Sequence, residues 1–316
     1  MRFGAVDGGS FRDPAGRVHD LNGRILRTIT HRAASDYEAL RDDGVLSWLF
    51  RHGLVVPARE VGLDEIVGLG DEVAYVVEHP RLPFVTYPYE WPFSALKTAA
   101  LFHLDLHLQL LERQVTLTDA SAYNIQFDGA KPVFIDLLSL RPYHEGEYWL
   151  GHKQFSEQFL NPLLLSAMMG VAYHGWYRGN LEGIATAELA RLLPFRRKLG
   201  WRVLTHVALP ARFQDRAARG GAEEALKRAR RRPFPLSAYR GLLRQLRGWI
   251  AGFASPFADT TWADYDLGHG YGQAEIGAKR DFVGRFVEAT KPALMWDLSR
   301  LHQLDQRIFG MIPSSH

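Results

Sequence analysis

The chain has 316 residues with a net charge of +3, 47% hydrophobic and 23% charged positions, and no cysteine. That suits one large or two modest domains with a substantial core, and it excludes disulfides and thiolate metal sites. No apolar run reaches the roughly 18 residues of a membrane span, and the opening MRFGAVDGGSFRDP lacks a signal peptide's apolar core, so a soluble, cytoplasmic protein is expected.

In chain order, Gly16 to Ile29 reads as two strands around Asn22-Gly23, a strong hairpin signal. Ser35 to Arg51 reads as one helix, with Ser35 and Glu38 in capping-box spacing. Val73 to Val77 and Phe84 to Tyr87 look like further strands. After the segment PYEWP (Pro88 to Pro92) the pattern turns helical, and Phe93 to Gln114 is long and apolar on one face. On that helix His103, Asp105 and His107 have the spacing of a metal cluster, but no further ligand is evident, and ordinary core and surface histidines are the plainer reading. A loop from Leu117 leads into a hairpin turning at Asp128-Gly129, whose second strand, Pro132 to Asp136, ends in a carboxylate.

Beyond Trp149 the chain reads as mostly helical up to Phe253. A polar, aromatic stretch follows at Thr260 to Tyr271, then an amphipathic helix, Gln273 to Thr290, whose Phe282, Val283 and Phe286 are expected to be buried. The segment Lys291 to Leu298 reads as a buried strand. The expected fold is α+β and two-lobed, with a small β-rich lobe over residues 1–87, a larger helical lobe over 88–254 and a tail over 255–316. Charge is uneven: between Arg212 and Arg247 eleven Arg or Lys stand against Asp215, Glu223 and Glu224, a local +8 that leaves the remainder acidic. A solvated helix explains this, as does contact with an anionic surface, which would place the protein at the inner membrane face. No specific nucleic-acid recognition is expected.

Asp119, Asn124 and Asp136 carry the sharpest chemical signal. Hard cations such as Mg²⁺ take oxygen ligands from carboxylates and amides, and a buried strand-end carboxylate is costly unless something binds it. Asx residues also cap turns and helices at such positions. A long helix, a loop holding Asp-x4-Asn, a hairpin and a second Asp together resemble the catalytic loop and metal-binding strand of the protein-kinase-like fold. The resemblance implies that Asp119 is the catalytic base and that Asn124 and Asp136 hold Mg²⁺ on ATP.

The sequence departs from that pattern in several places. Leu117-Thr118 replaces the usual His-Arg, Leu137-Leu138 replaces Phe-Gly, there is no G-x-G-x-x-G loop, and no lysine precedes Lys97. Arg27 is then the stand-in for the phosphate-binding lysine, with Glu38 as its partner. The segment YPYEW, with Tyr89 and Glu90, is the stretch where a kinase-like hinge would hold adenine.

The tail resembles the entry to a class I S-adenosylmethionine-dependent methyltransferase, a helix followed by a strand ending in W-D-L. However, Ser299-Arg300-Leu301-His302 replaces the Gly-rich turn, and the eighteen residues after Leu298 cannot hold a Rossmann-like sheet. The S-adenosylmethionine site is therefore expected to be incomplete, and residues after Leu298 poorly packed. Across residues 10 to 298 the phrases YPYEWPF, SAYNIQF, PVFIDLLSL and MWDL resemble bacterial proteins described as SAM-dependent methyltransferases with a kinase-like N-terminal region. Bifunctional kinase–methyltransferases acting on surface polysaccharide ends are a broader analogy. The resemblance implies a Mg-ATP phosphotransferase acting on a small-molecule or saccharide hydroxyl, paired with a methyltransferase domain or a methyltransferase in trans. The alternative is a degenerate pseudokinase module that binds or positions a partner.

Overall fold

Asn22 and Gly23 turn the first hairpin with φ of 52° and 87°, the left-handed pair that a two-residue turn needs. In this computed structural model, which describes residues 13–66, 68–198, 200–208, 233–257 and 272–291, strands β1 (Val18–Leu21) and β2 (Arg24–Thr30) flank that turn. With β3 (Arg59–Val61) and β4 (Val73–His79) they form an antiparallel sheet in the order β1-β2-β4-β3. Side chains alternate between its faces. Leu26 and Val76 close a small core with Leu21, Val61 and Ile66, whereas Ile29 and Val77 join the main core. Arg27 is paired with Val77 in the register, so it lies on the face that turns toward the rest of the molecule.

The expected single helix is two helices. β2 runs directly into α1 (His31–Asp42), so the capping box at Ser35 does not form; Thr30 is the N-cap. Gly44, at φ 73°, ends the run and α2 (Val45–Arg51) restarts it. Phe84 to Tyr87, expected as a strand, pairs with no strand among the described residues; it is the extended linker to the helical part.

Helix α3 (Phe93–Leu111) is the axis of that part, burying Leu96, Ala99, Ala100, Leu104 and Leu111. Two small antiparallel pairs follow it: β5 (Val115–Leu117) with β8 (Leu140–Pro142), and the hairpin of β6 (Ile125–Asp128) and β7 (Lys131–Phe134), turned at Gly129 with φ 59°. Next come α4 (His152–Phe155), a π turn (Ser156–Leu160), α5 (Asn161–Met169), α6 (His174–Gly179) and α7 (Thr186–Leu192). Helix α8 (Leu236–Ala251) packs along α3. Arg240 donates to the Leu111 carbonyl at 2.7 Å, Arg247 pairs with Asp105, and Lys97 reaches the Ala251 and Phe253 carbonyls at 2.8 and 2.7 Å. Two arginines of the basic stretch thus anchor a helix, while 212–232 lie outside the described residues.

Sheet with helix, linker, long helix, loop, hairpin and helices make a two-lobed α+β fold of the protein-kinase-like kind. The chain divides into the units Met1–Phe257 and Ala258–His316. In the second, α9 (Gln273–Thr290) forms as expected, but Phe282 and Phe286 are exposed rather than buried. Thr260 to Tyr271 fall outside the described residues, as do 292–298 of the strand expected over Lys291 to Leu298 and the poorly packed end expected after it; Lys291 itself closes the helix at φ 42°. No helix among those described is long and apolar enough to cross a membrane.

Candidate functional site

The loop between β5 and β6 is held by its neighbours before it does anything else. At its start the Thr118 N–H donates to the Ser139 carbonyl at 2.8 Å. The Ala120 N–H donates to Gln154 Oε1 and the Ala122 N–H to Gln158 Oε1, each at 2.8 Å. Asp119 closes an Asx turn by accepting from the Ser121 N–H at 2.7 Å. Across the hairpin, the Ile135 N–H donates to the Asn124 carbonyl at 2.8 Å, which brings Asp136 alongside. Asp136 caps the turn Leu137–Ser139 through the Leu138 N–H.

The three residues singled out in the sequence therefore meet. The Asn124 amide donates to Asp119 Oδ1 at 3.0 Å and to Asp136 Oδ2 at 3.3 Å. Arg27 reaches over from β2 and pairs with Asp136 Oδ1 at 2.7 Å. The same nitrogen pairs with Asp13 Oδ2, also at 2.7 Å. Asp13 arrives on a strap tied to β2: the Thr30 N–H donates to the Ala15 carbonyl at 2.8 Å and the Thr28 N–H to the Arg17 carbonyl at 2.9 Å. The strap lies so close that a Cβ on Gly16 would stand 1.8 Å from the Thr28 carbonyl oxygen, so only glycine fits there.

Two carboxylates, Asp13 and Asp136, thus share one guanidinium, and Asp119 joins them through the Asn124 amide. Burial pushes the Asp119 carboxyl above its usual range, and the charges of Asp136 and Asp13 add to that, against the Ser121 N–H bond. Arg27 is only 8% exposed and its Nε has no partner among the described residues. His79, beside it on β4, is held below the usual histidine range, first by burial and also by the Arg27 charge. No group of three His, Cys, Asp or Glu among the described residues has metal-holding geometry. The donor types fit a Mg²⁺ that brings its own waters and phosphates, but the cation would have to displace bonds already made: the Asn124 N–H donates to Asp136 Oδ2 and Arg27 takes Oδ1, so the Asn124 amide would turn to present its oxygen.

Other expected partners are placed differently. Glu38 accepts from the Tyr75 hydroxyl at 2.5 Å and is not the partner of Arg27, because Arg27 turns into the cleft toward Asp13 and Asp136. The Glu90 carboxylate is spent on the Tyr87 N–H at 2.9 Å, and the Tyr89 ring stacks on Tyr87 with Arg178 over its face. His103 and His107 are fully buried, while Asp105 turns away to Arg247, so these three do not converge. Asp13, His79, Gln126, Gln154 and Gln158 went unnoticed in the sequence. The two glutamines of the helix are four residues apart and so share a face, the one signal that could have found them.

No protein-family model matches the chain. The chain is 40% identical over 292 residues to the nodulation protein NoeA of Rhizobium meliloti (strain 1021). That match covers 92% of this chain and 60% of the relative's length. Among solved structures, vaccinia related kinase 3 superposes with a TM-score of 0.34 and 13% identity, covering 81% of this chain and 94% of that one. The superposition is loose, and the two-lobed order rests on the chain's own elements. Neither name speaks of methyl transfer.

Proposed function

We propose that the cleft is a kinase-like phosphotransferase site that takes a Mg²⁺-bound nucleoside triphosphate and a hydroxyl acceptor on a small molecule or saccharide. The observation that carries this is the meeting of Asp119, Asn124 and Asp136 within hydrogen-bond distance, beneath an arginine from the sheet. Asp119 is the base: its raised carboxyl pKa brings it closer to neutrality, where a general base works best. It takes the proton of the acceptor hydroxyl as that oxygen bonds to the terminal phosphorus and the bridging oxygen leaves with the nucleoside diphosphate. Asn124 and Asp136 hold the cation, which neutralises phosphate charge when bound. Arg27 binds phosphate oxygens with its planar fork, in the place where the usual pattern has lysine.

A second reading, a degenerate binding module, is favoured by the Arg27–Asp136 pair, which already gives Asp136 a cation. Titration with ATP, with and without Mg²⁺, separates the two. Mg²⁺-dependent binding followed by phosphate transfer supports the first reading. Binding indifferent to Mg²⁺ and without turnover supports the second, and no Mg²⁺-dependent binding sinks the first. Similarity to a nodulation protein brings a role in nodulation into the proposal. A methyltransferase partner, a cytoplasmic location and an anionic surface contact through Arg212 to Arg247 belong to it as well, resting on sequence only.

A further inference from the structure

From Thr86 to Trp91 the backbone hydrogen bonds are almost all committed within the chain. The Thr86 N–H donates to Gln126 Oε1 at 2.9 Å, and Gln126 Nε2 donates back to the Thr86 carbonyl at 2.9 Å. Both bonds together fix the carboxamide's orientation, since only its oxygen can accept. The Tyr87 N–H goes to Glu90, the Glu90 N–H returns to the Tyr87 carbonyl at 2.8 Å, and the Trp91 N–H goes to the Pro88 carbonyl at 3.3 Å. The Trp91 carbonyl accepts from the Tyr173 hydroxyl and faces His174 Nε2 at 2.9 Å. Pro88 has no N–H.

A purine edge needs a donor and an acceptor side by side. Extended backbone offers them from one residue, whose N–H and C=O point to the same side. Thr86 is such a residue, and the carboxamide of Gln126, itself 3% exposed, presents to it the same donor and acceptor that adenine would. Tyr89 keeps a free N–H, but it lies in the one-turn helix Pro88–Glu90, where N–H and C=O point opposite ways along the axis. It cannot pair with a base edge.

We infer that this site reads its donor by the phosphates and not by the base, because Gln126 fills the base-reading edge at Thr86, where the linker meets the hairpin of the cleft. The inference rests on the reading of the cleft as a phosphate-donor site. Its ligand class is any nucleoside triphosphate, or inorganic triphosphate itself, held from the Arg27, Asn124 and Asp136 end. A site whose Thr86 donor and acceptor are already taken discriminates weakly between bases.

The test is calorimetric titration of the full chain, in Mg²⁺, with ATP, GTP, CTP and inorganic triphosphate. Dissociation constants within about threefold of one another are expected. ATP binding more than about tenfold tighter than GTP and CTP overturns the inference and leaves the phosphate-donor reading intact. In Gln126→Ala the freed edge is expected to tighten ATP by about fivefold while inorganic triphosphate is unchanged. Hydrogen exchange at the Thr86 amide is expected to quicken in the ligand-free protein; Gln126→Met, which keeps the volume, gives the same readouts if the alanine variant fails to fold. Unchanged Thr86 exchange together with unchanged ATP affinity overturns the inference. Absence of binding of any triphosphate to either protein removes the donor-site reading and this inference with it.

Discussion

Asp119, Asn124 and Asp136 sit half-buried at the cleft and are bonded to one another, whereas His103 and His107 on α3 are wholly enclosed. His103 lies among the rings of Phe134, Trp149, Phe155 and Phe159, and neither of its nitrogens has a partner among the described residues. His107 Nε2 lies near the Thr116 and Tyr239 hydroxyls, at 3.0 and 3.2 Å, so it ties β5 to α8. Burial pushes His103 down to about 3 and holds His107 well below the usual histidine range, so both rings are neutral and belong to the core. The cleft carboxylates, Asp119 and Asp136, need partners to be where they are, and the Asn124 amide bridges them. Charge with shared partners at a half-buried cleft marks the candidate site; neutral rings enclosed in the core mark packing.

The largest expected effect that separates the two regions is catalytic. Asp119→Asn should lower phosphate transfer about 10²- to 10⁴-fold and leave nucleotide binding nearly unchanged, read by single-turnover kinetics beside calorimetry. An equal loss in binding would remove Asp119 from the role of base. At pH 7 the same variant should be slightly more stable, because the raised carboxyl pKa means the folded state penalises its charge. That penalty is present above the folded pKa and is relieved as pH falls through it.

Next in size is Asp136→Ala, which strips Arg27 of one of its two carboxylates. A loss of about 2–3 kcal/mol in urea denaturation is expected, below the full cost of an orphaned buried charge because Asp13 remains. No change in stability would mean that Arg27 finds water instead. Gly16→Ala should cost about 2 kcal/mol, since the new Cβ meets backbone and not a yielding side chain. Faster exchange at the Thr28 and Thr30 amides would locate the damage at the strap, and unchanged exchange would contradict the tight packing.

The smallest effect belongs to the histidines. His103→Leu should be neutral or stabilising by up to about 1 kcal/mol at pH 7, because two unpartnered nitrogens leave the core. Its pH dependence has a definite sign. His103 titrates near the ordinary value of 6.5 when unfolded and at about 3 when folded, so the unfolded state gains the proton first. Stability is full above 6.5 and falls as pH drops from there toward 3. The leucine variant should flatten that slope by at most about 1.4 kcal/mol per pH unit. An unchanged slope would mean that His103 is charged in the folded state.

Much of this was legible in local pattern. Asn22-Gly23, Asp128-Gly129 and the apolar face of α3 need only their own neighbours to be read. The spacing of Asp119, Asn124 and Asp136 was legible for the same reason, since loop and hairpin are consecutive. What escaped the sequence depends on long-range geometry. Arg27 was found, but its partner Asp136 lies more than a hundred residues away, and Asp13 reaches it only because Gly16 lets the strap lie flat on β2. The break at Gly44 lost to a helical pattern that continued on both sides of it. The linker looked like a strand because it is extended, but among the described residues it pairs with the Gln126 amide and with no strand.

Gln154 and Gln158 hold the loop through neutral amides, whereas Arg27 holds the other side through ion pairs. Dissolved salt hardly touches the first kind of contact and reaches the second only in part, because Arg27 is buried. Ionic strength therefore acts on one arm of the cleft at a time. A donor affinity that weakens with added salt reports on the guanidinium, and a transfer rate that stays level reports on a loop whose geometry no electrolyte disturbs.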